Sequence, residues 1–290
     1  MTARLTALPA LLLATFPFAA CARANEAALH ETSPATIETW VPTEYAYGEH
    51  PLQRLDVYPH APGAPVVAFV HGGGWCRGDK QQWTANTLSL AQKLGQTYAF
   101  VSLNYRLAAD TNVPPAHPYD DKFPAAIEDL RGAMVWLQDN GDWDASRIVI
   151  IGESGGANLA AYVATDGYSP NVHGAVLYGG YYRLDQDTGP LVAALRLNYV
   201  GCQSELDRGC QQLLRAASPY YAGMVQPPML LVHGSIDDLV PMTQSAWLQS
   251  WAGYNSQLLS VPGGLHTGPT MLDPVVEERV EAFVAGVLAN

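Results

Sequence analysis

Six short apolar runs, each long enough for a buried strand, recur along the chain at residues 66–70, 99–103, 148–151, 175–178, 229–232 and 258–261. They are apolar at nearly every position, as expected of strands in a sheet covered on both faces. Segments between them carry helical spacing instead. Residues 124–138 place Ile127, Leu130, Met134 and Leu137 on one face, and a helix from about Gly155 to Thr165 turns Leu159 and Val163 inward. Asp273-Pro274 opens a final helix expected to bury Val276, Val280, Phe283 and Val287. This alternation predicts a single α/β domain with a mainly parallel central sheet and helices on both faces. The stretch between the fourth and fifth runs, about residues 179–228, exceeds a simple connection and predicts a small lid-like insertion.

A chain of 290 residues that is 48% hydrophobic can bury one sizeable core, and no repeat or low-complexity run divides it. Its formal net charge of −12, with no basic stripe, disfavours nucleic acid and anionic lipid as partners. Residues 1–24 stand apart: Arg4 precedes an apolar run from Leu5 to Ala20 and then small residues, the layout of a secretory signal. The run is short for a membrane span. Cleavage after Ala24 would leave residues 25–290 as a free periplasmic or secreted domain. Phe18-Ala19-Ala20-Cys21 resembles a lipoprotein box, so lipidation of Cys21, tethering the domain, is the other reading. Export permits disulfides, and Cys202 and Cys210 are expected to pair and staple a loop, leaving Cys76 single. No Cys/His cluster has zinc spacing, so neither a metal nor another cofactor is expected.

Candidate chemistry lies where the apolar runs end. Gly152-Glu153-Ser154-Gly155-Gly156 follows the run at 148–151, the order of strand, sharp turn and nucleophile. A serine hydroxyl is a poor nucleophile unaided, so it needs a base, an acid to orient that base, and donors for a developing oxyanion. His266 follows the run at 258–261 in Pro262-Gly263-Gly264-Leu265-His266 and is the candidate base. The candidate acid is Asp237, just past the run at 229–232; Asp238 is its rival, read as a loop or helix-capping carboxylate, and spacing alone does not exclude it. His71-Gly72-Gly73-Gly74-Trp75 follows the run at 66–70, where Gly73 and Gly74 can aim N–H groups together with that of Gly155. His71 and His233 open glycine turns and are read as structural.

Taken in order, Leu55-Asp56-Val57-Tyr58-Pro59, His71-Gly72-Gly73-Gly74-Trp75, Asn104-Tyr105-Arg106-Leu107, Phe123-Pro124-Ala125-Ala126, the Ser154 elbow and the Asp237 and His266 loops resemble one family. It is the α/β-hydrolase serine esterases of the hormone-sensitive-lipase-like and feruloyl-esterase-like branch, and the resemblance runs from about Tyr45 to the C-terminus. The resemblance implies an α/β-hydrolase fold with Ser154 as nucleophile, His266 as base, Asp237 as its partner and Gly73, Gly74 and Gly155 as oxyanion donors. Two features depart from the hormone-sensitive-lipase-like pattern. The elbow reads Glu-Ser-Gly-Gly where Asp-Ser-Ala-Gly-Gly is usual, and the acid lies in His233-Gly234-Ser235-Ile236-Asp237, nearer the feruloyl-esterase-like and peptidase-like branches.

These parts describe an exported serine carboxylesterase acting on a small-molecule ester through an acyl-enzyme, with short-chain or aryl esters and acylated carbohydrate as substrate classes. Trp75, Tyr105, Tyr181 and Leu239 are candidates to wall its pocket, with Tyr182, Leu191, Leu195, Leu197 and Tyr199 of the insertion. About half of these aromatics are expected in the core. His71-Gly72-Gly73-Gly74-Trp75 also resembles arylformamidases, which makes amide or formamide hydrolysis the alternative. A non-catalytic binding protein on the same fold is the reading from another class.

Overall fold

The computed structural model describes residues 40–81, 85–109, 120–186, 190–204, 206–267 and 273–289. The expected signal at 1–24, and Cys21 with its tether, lie outside the described residues. Among these described residues, eight strands are β1 (Thr43–Ala46), β2 (Arg54–Val57), β3 (Pro65–Val70), β4 (Ala99–Leu103), β5 (Asp144–Glu153), β6 (Val172–Tyr178), β7 (Met229–Gly234) and β8 (Ser256–Val261). They form one sheet in the order β1-β2-β4-β3-β5-β6-β7-β8. Pairing is antiparallel from β1 to β4 and parallel from there to β8. The helices are α1 (Ala85–Gly95), α2 (Ala125–Asp139), α3 (Gly155–Thr165), α4 (Pro190–Val200), α5 (Arg208–Ala216), α6 (Pro219–Ala222), α7 (Thr243–Ala252) and α8 (Pro274–Leu288).

Strand side chains alternate between two cores, which is why the apolar runs are unbroken. Val66, Ala68, Val70, Ile148 and Ile150 join the core under α2 and α3, with Leu130 and Leu159. Their neighbours Val67, Phe69, Val149 and Ile151 join the opposite core, closed by Leu90 and Leu94 of α1 and Val280 and Val284 of α8. In α8 the inner positions are Val276, Val280, Val284 and Leu288, whereas Phe283 and Val287, expected inside, are only partly buried. Asp273 caps that helix by accepting the Val275 N–H at 2.9 Å.

The insertion carries α4, α5 and α6, and Cys202 and Cys210 are disulfide-bonded across it with Cα atoms 5.6 Å apart. Cys76 corrects the expectation of a single thiol, because it too is disulfide-bonded.

No apolar run announces β1 or β2, which contain Glu44, Arg54 and Asp56. Burial of Asp56, 1% exposed, is compensated by Lys80, whose ammonium lies 2.9 Å from its carboxylate and 2.8 Å from that of Glu44. A buried charge that loses its partner is far costlier than the pair itself is stabilising. Lys80→Ala is therefore expected to destabilise the fold by about 3–5 kcal/mol, read by urea unfolding. An unchanged unfolding midpoint would contradict this account of the antiparallel edge.

Candidate active site

Steric crowding builds the elbow after β5. A Cβ on Gly152 would come 2.4 Å from the Gly156 carbonyl oxygen, and one on Gly156 would come 2.3 Å from the carbonyl oxygens of Val70 and His71. Between these glycines Ser154 takes φ 51° and ψ −119°, a left-handed conformation that costs a residue with a Cβ of order 1–3 kcal/mol. Hydrogen bonds hold it there: its N–H donates to Tyr178 O at 2.8 Å, and its carbonyl accepts the Ala157 N–H at 3.0 Å. The hydroxyl consequently projects at the carboxyl edge of the sheet, at the start of α3.

Loops after β7 and β8 bring two more groups to that edge. They can meet because position 234 lacks a side chain; a Cβ on Gly234 would lie 2.3 Å from the carbonyl oxygens of Gly264 and Leu265. His266 places Nε2 2.9 Å from Ser154 Oγ and Nδ1 2.8 Å from Asp237 Oδ2. A carboxylate accepts, so Nδ1 carries the proton and Nε2 is free to accept from the serine hydroxyl. The other Asp237 oxygen accepts the N–H groups of Leu239 at 2.9 Å and Val240 at 2.8 Å. Asp238, the rival in sequence, is exposed, so geometry separates the two carboxylates.

Asp237 has a second imidazole that sequence reading assigned no role at the acid. His233 is fully buried, with Nε2 3.3 Å from Asp237 Oδ2 and 2.8 Å from Val240 O, and Nδ1 2.7 Å from Ser245 Oγ on α7. Burial alone would raise the Asp237 carboxyl, but hydrogen bonds from His233 and His266, the charge of His266 and the Val240 N–H hold it well below the usual carboxylate range.

Opposite the elbow, the loop after β3 runs through three consecutive left-handed residues, Gly73 (φ 106°), Gly74 (φ 60°) and Trp75 (φ 63°). A Cβ on Gly155 would lie 3.1 Å from Trp75 N and 3.3 Å from Gly74 N, so this loop's amides pack against the start of α3, beside Ser154. His71 anchors the loop from within: its ring stacks on Tyr105 at 4.4 Å, and its Nδ1 lies 2.8 Å from Gly72 O. Burial lowers its pKa and keeps the ring neutral. Glu153 ties the elbow to the same loop by accepting the Gly72 N–H at 3.3 Å, and burial raises its carboxyl.

Of the four pocket candidates, three are core residues rather than open wall. Trp75 is 3% exposed, stacks on Tyr199 with centroids 4.9 Å apart, and donates its indole N–H to Asn158 Oδ1 at 3.2 Å. Tyr105 is fully buried and donates its hydroxyl to His71 O at 3.0 Å. Tyr181 is also buried and hydrogen-bonds Gln186 O at 3.3 Å. Leu239 is half-buried on the Asp237 loop. From the insertion, Tyr182 and Tyr199 are buried, Leu195 packs on Gly74, Leu197 is partly buried, and the Leu191 side chain lies outside the described residues.

Asn158 escaped sequence reading although it joins three segments around the site. Besides accepting from Trp75, it donates to Tyr181 O at 2.8 Å and Ala217 O at 3.3 Å. The only signal in the chain was a polar residue set among the apolar positions of α3.

A carboxylate whose folded pKa lies below its unfolded value stabilises the fold fully above about pH 4, and this contribution fades as pH falls through the lowered value. The stability lead of the wild type over Asp237→Asn is therefore expected to narrow as pH is lowered from about 5 to about 2, read as the difference in Tm. A lead that widens toward acid would contradict the assignment.

Residues 55–187 match the family model described as BD-FAE. Esterase LipC of Mycobacterium tuberculosis is 29% identical over 264 residues, 77% of this chain and 61% of LipC. Esterase LipQ of the same organism is 30% identical over 250 residues, 77% of this chain and 56% of LipQ. The chain thus spans less than two thirds of the length of these relatives. Among solved structures, a truncated form of a carbohydrate esterase from gut microbiota superposes with a TM-score of 0.73 at 22% identity, covering 89% of this chain and 100% of that one. By its sheet and the order of its motifs the chain has the α/β-hydrolase fold, and its matched segment is similar to the BD-FAE family.

Proposed function

We propose that the chain is an exported serine carboxylesterase that hydrolyses short-chain or aryl carboxylic esters, esters of carbohydrate hydroxyls among them. One observation carries the reading: a single imidazole, that of His266, lies 2.9 Å from Ser154 Oγ and 2.8 Å from a buried carboxylate. In this arrangement Ser154 attacks the ester carbonyl while His266 takes its proton. Asp237 holds the imidazole's tautomer and offsets its charge, and His266 then returns the proton to the leaving alcohol. Water repeats the sequence on the acyl-enzyme and frees the acid. Amides of Gly73, Gly74 and Gly155 would receive the oxyanion, in a setting where one donor typically accounts for about 10²–10³ in rate. The esterase names of LipC and LipQ support the chemistry, and the apolar N-terminal run and the disulfide-bonded cysteines support export.

Hydrolysis of p-nitrophenyl esters from acetate to decanoate tests the reading. Short acyl chains are expected to be cleaved, with Ser154→Ala reducing kcat by at least about 10³-fold. Asp237→Asn should lower kcat by about 10⁴-fold through the wrong imidazole tautomer, while Asp238→Asn leaves it essentially unchanged. Cleavage of aryl formamides with esters untouched would replace the esterase reading by the formamidase one. Ligand binding without turnover of either class would favour a binding protein.

A further inference from the structure

Gly73, Gly74 and Trp75 all have positive φ, and Trp75 has a Cβ that disfavours it. Backbone of this kind keeps its shape only where its surroundings leave no alternative. Two residues one turn apart on α4 supply that constraint. Leu195, 7% exposed, lies so close to Gly74 that a Cβ there would stand 3.0 and 3.1 Å from its two methyl carbons. Tyr199, 1% exposed, lays its ring on the Trp75 indole with centroids 4.9 Å apart and planes 10° apart. The Trp75 indole N–H is held in turn by Asn158 on α3, the helix that begins after Ser154. The indole is therefore clamped between the insertion and the nucleophile's helix.

We infer that α4 is a positioning element for the oxyanion loop, acting through Leu195 and Tyr199; this rests on the esterase reading of that loop. The helix is itself braced. Tyr199 O accepts the Phe123 N–H at 2.9 Å, Leu197 O accepts the Cys202 N–H at 2.8 Å, and Cys202 is bonded to Cys210. Contact between Tyr199 and the loop uses the ring alone, since its buried hydroxyl has no hydrogen-bond partner among the described residues. Ring and methyl packing fix where the loop's amides, that of Gly74 among them, sit relative to Ser154. Their effect is thus greatest where charge develops on the carbonyl oxygen, and smallest on ground-state binding.

The test compares Tyr199→Leu, Leu195→Ala and Tyr199→Phe with the wild type in the full chain. Tyr199→Leu and Leu195→Ala are each expected to lower kcat on p-nitrophenyl acetate by about 10–100-fold with KM little changed. The same two variants should weaken inhibition by phenylboronic acid, which forms a tetrahedral adduct on the serine, and speed amide exchange at residues 72–76. Tyr199→Phe should match the wild type in all three readouts. If Tyr199→Leu fails to fold, Leu195→Ala and Tyr199→Phe still decide. Wild-type kcat and exchange in Leu195→Ala and Tyr199→Leu would overturn the inference, as would a loss in Tyr199→Phe equal to that in Tyr199→Leu. Exchange requires no turnover, so a wild type inactive on every ester would sink the esterase reading while exchange still decided this one.

Discussion

Ser154 sits where the backbone has almost no room: position 152 is pressed on the Gly156 carbonyl and position 156 on those of Val70 and His71. That crowding sets the height of the hydroxyl above the sheet and, through the same atoms, the approach of the loop after β3. The register makes it possible, since Val70 pairs with Gly152 across parallel β3 and β5, so both strands end at one level. β7 and β8 end together in the same way, with Gly234 opposite Val261, and deliver Asp237 and His266 on loops that only a glycine at 234 lets approach. Site geometry thus follows from strand order and register plus three side-chain-free positions. Loops carry the chemistry, but the sheet determines where they can be.

Away from the site, three buried aspartates each lie beside a fixed cation. Asp56 is held by Lys80, Asp129 by Arg106 and Asp166 by Arg131, and each carboxylate is nearly or fully buried. Asp237 differs because its partners are two imidazoles and two backbone N–H groups rather than one fixed cation. Such a carboxylate stays ionised and holds His266 through Nδ1, with Nε2 facing the Ser154 hydroxyl to take its proton. A lysine in the same place would stabilise the aspartate yet compete for it. Neutral donors and a neighbouring His233 avoid that competition.

Much of this was legible in the chain because burial on both faces writes parallel strands as unbroken apolar runs, and six of the eight strands have them. β1 and β2 did not show, since β1 is exposed at all four positions and, in β2, the ion-paired Asp56 breaks the pattern that a covered strand leaves. Ser154 and His266 could be located because each follows a strand-like run in a glycine setting; Asp237 could be named the candidate acid, but excluding Asp238 at the same strand end took the folded geometry. Aromatic residues were the least readable. Trp75, Tyr105 and Tyr181 have the same composition and position whether they line a pocket or pack a core, and the structure puts all three in the core. Asn158 and Ser245 stayed hidden for another reason: their partners, Trp75, Tyr181 and His233, are distant in sequence and meet only on folding.

Rapid-quench mass spectrometry during turnover of p-nitrophenyl acetate would read the chemistry at its source. The hydrogen-bonded chain from Asp237 through His266 to Ser154 requires an acetyl group to accumulate on the peptide containing Ser154 and to disappear as substrate is exhausted. Turnover with no acyl adduct on Ser154, or with the adduct on another side chain, would contradict it.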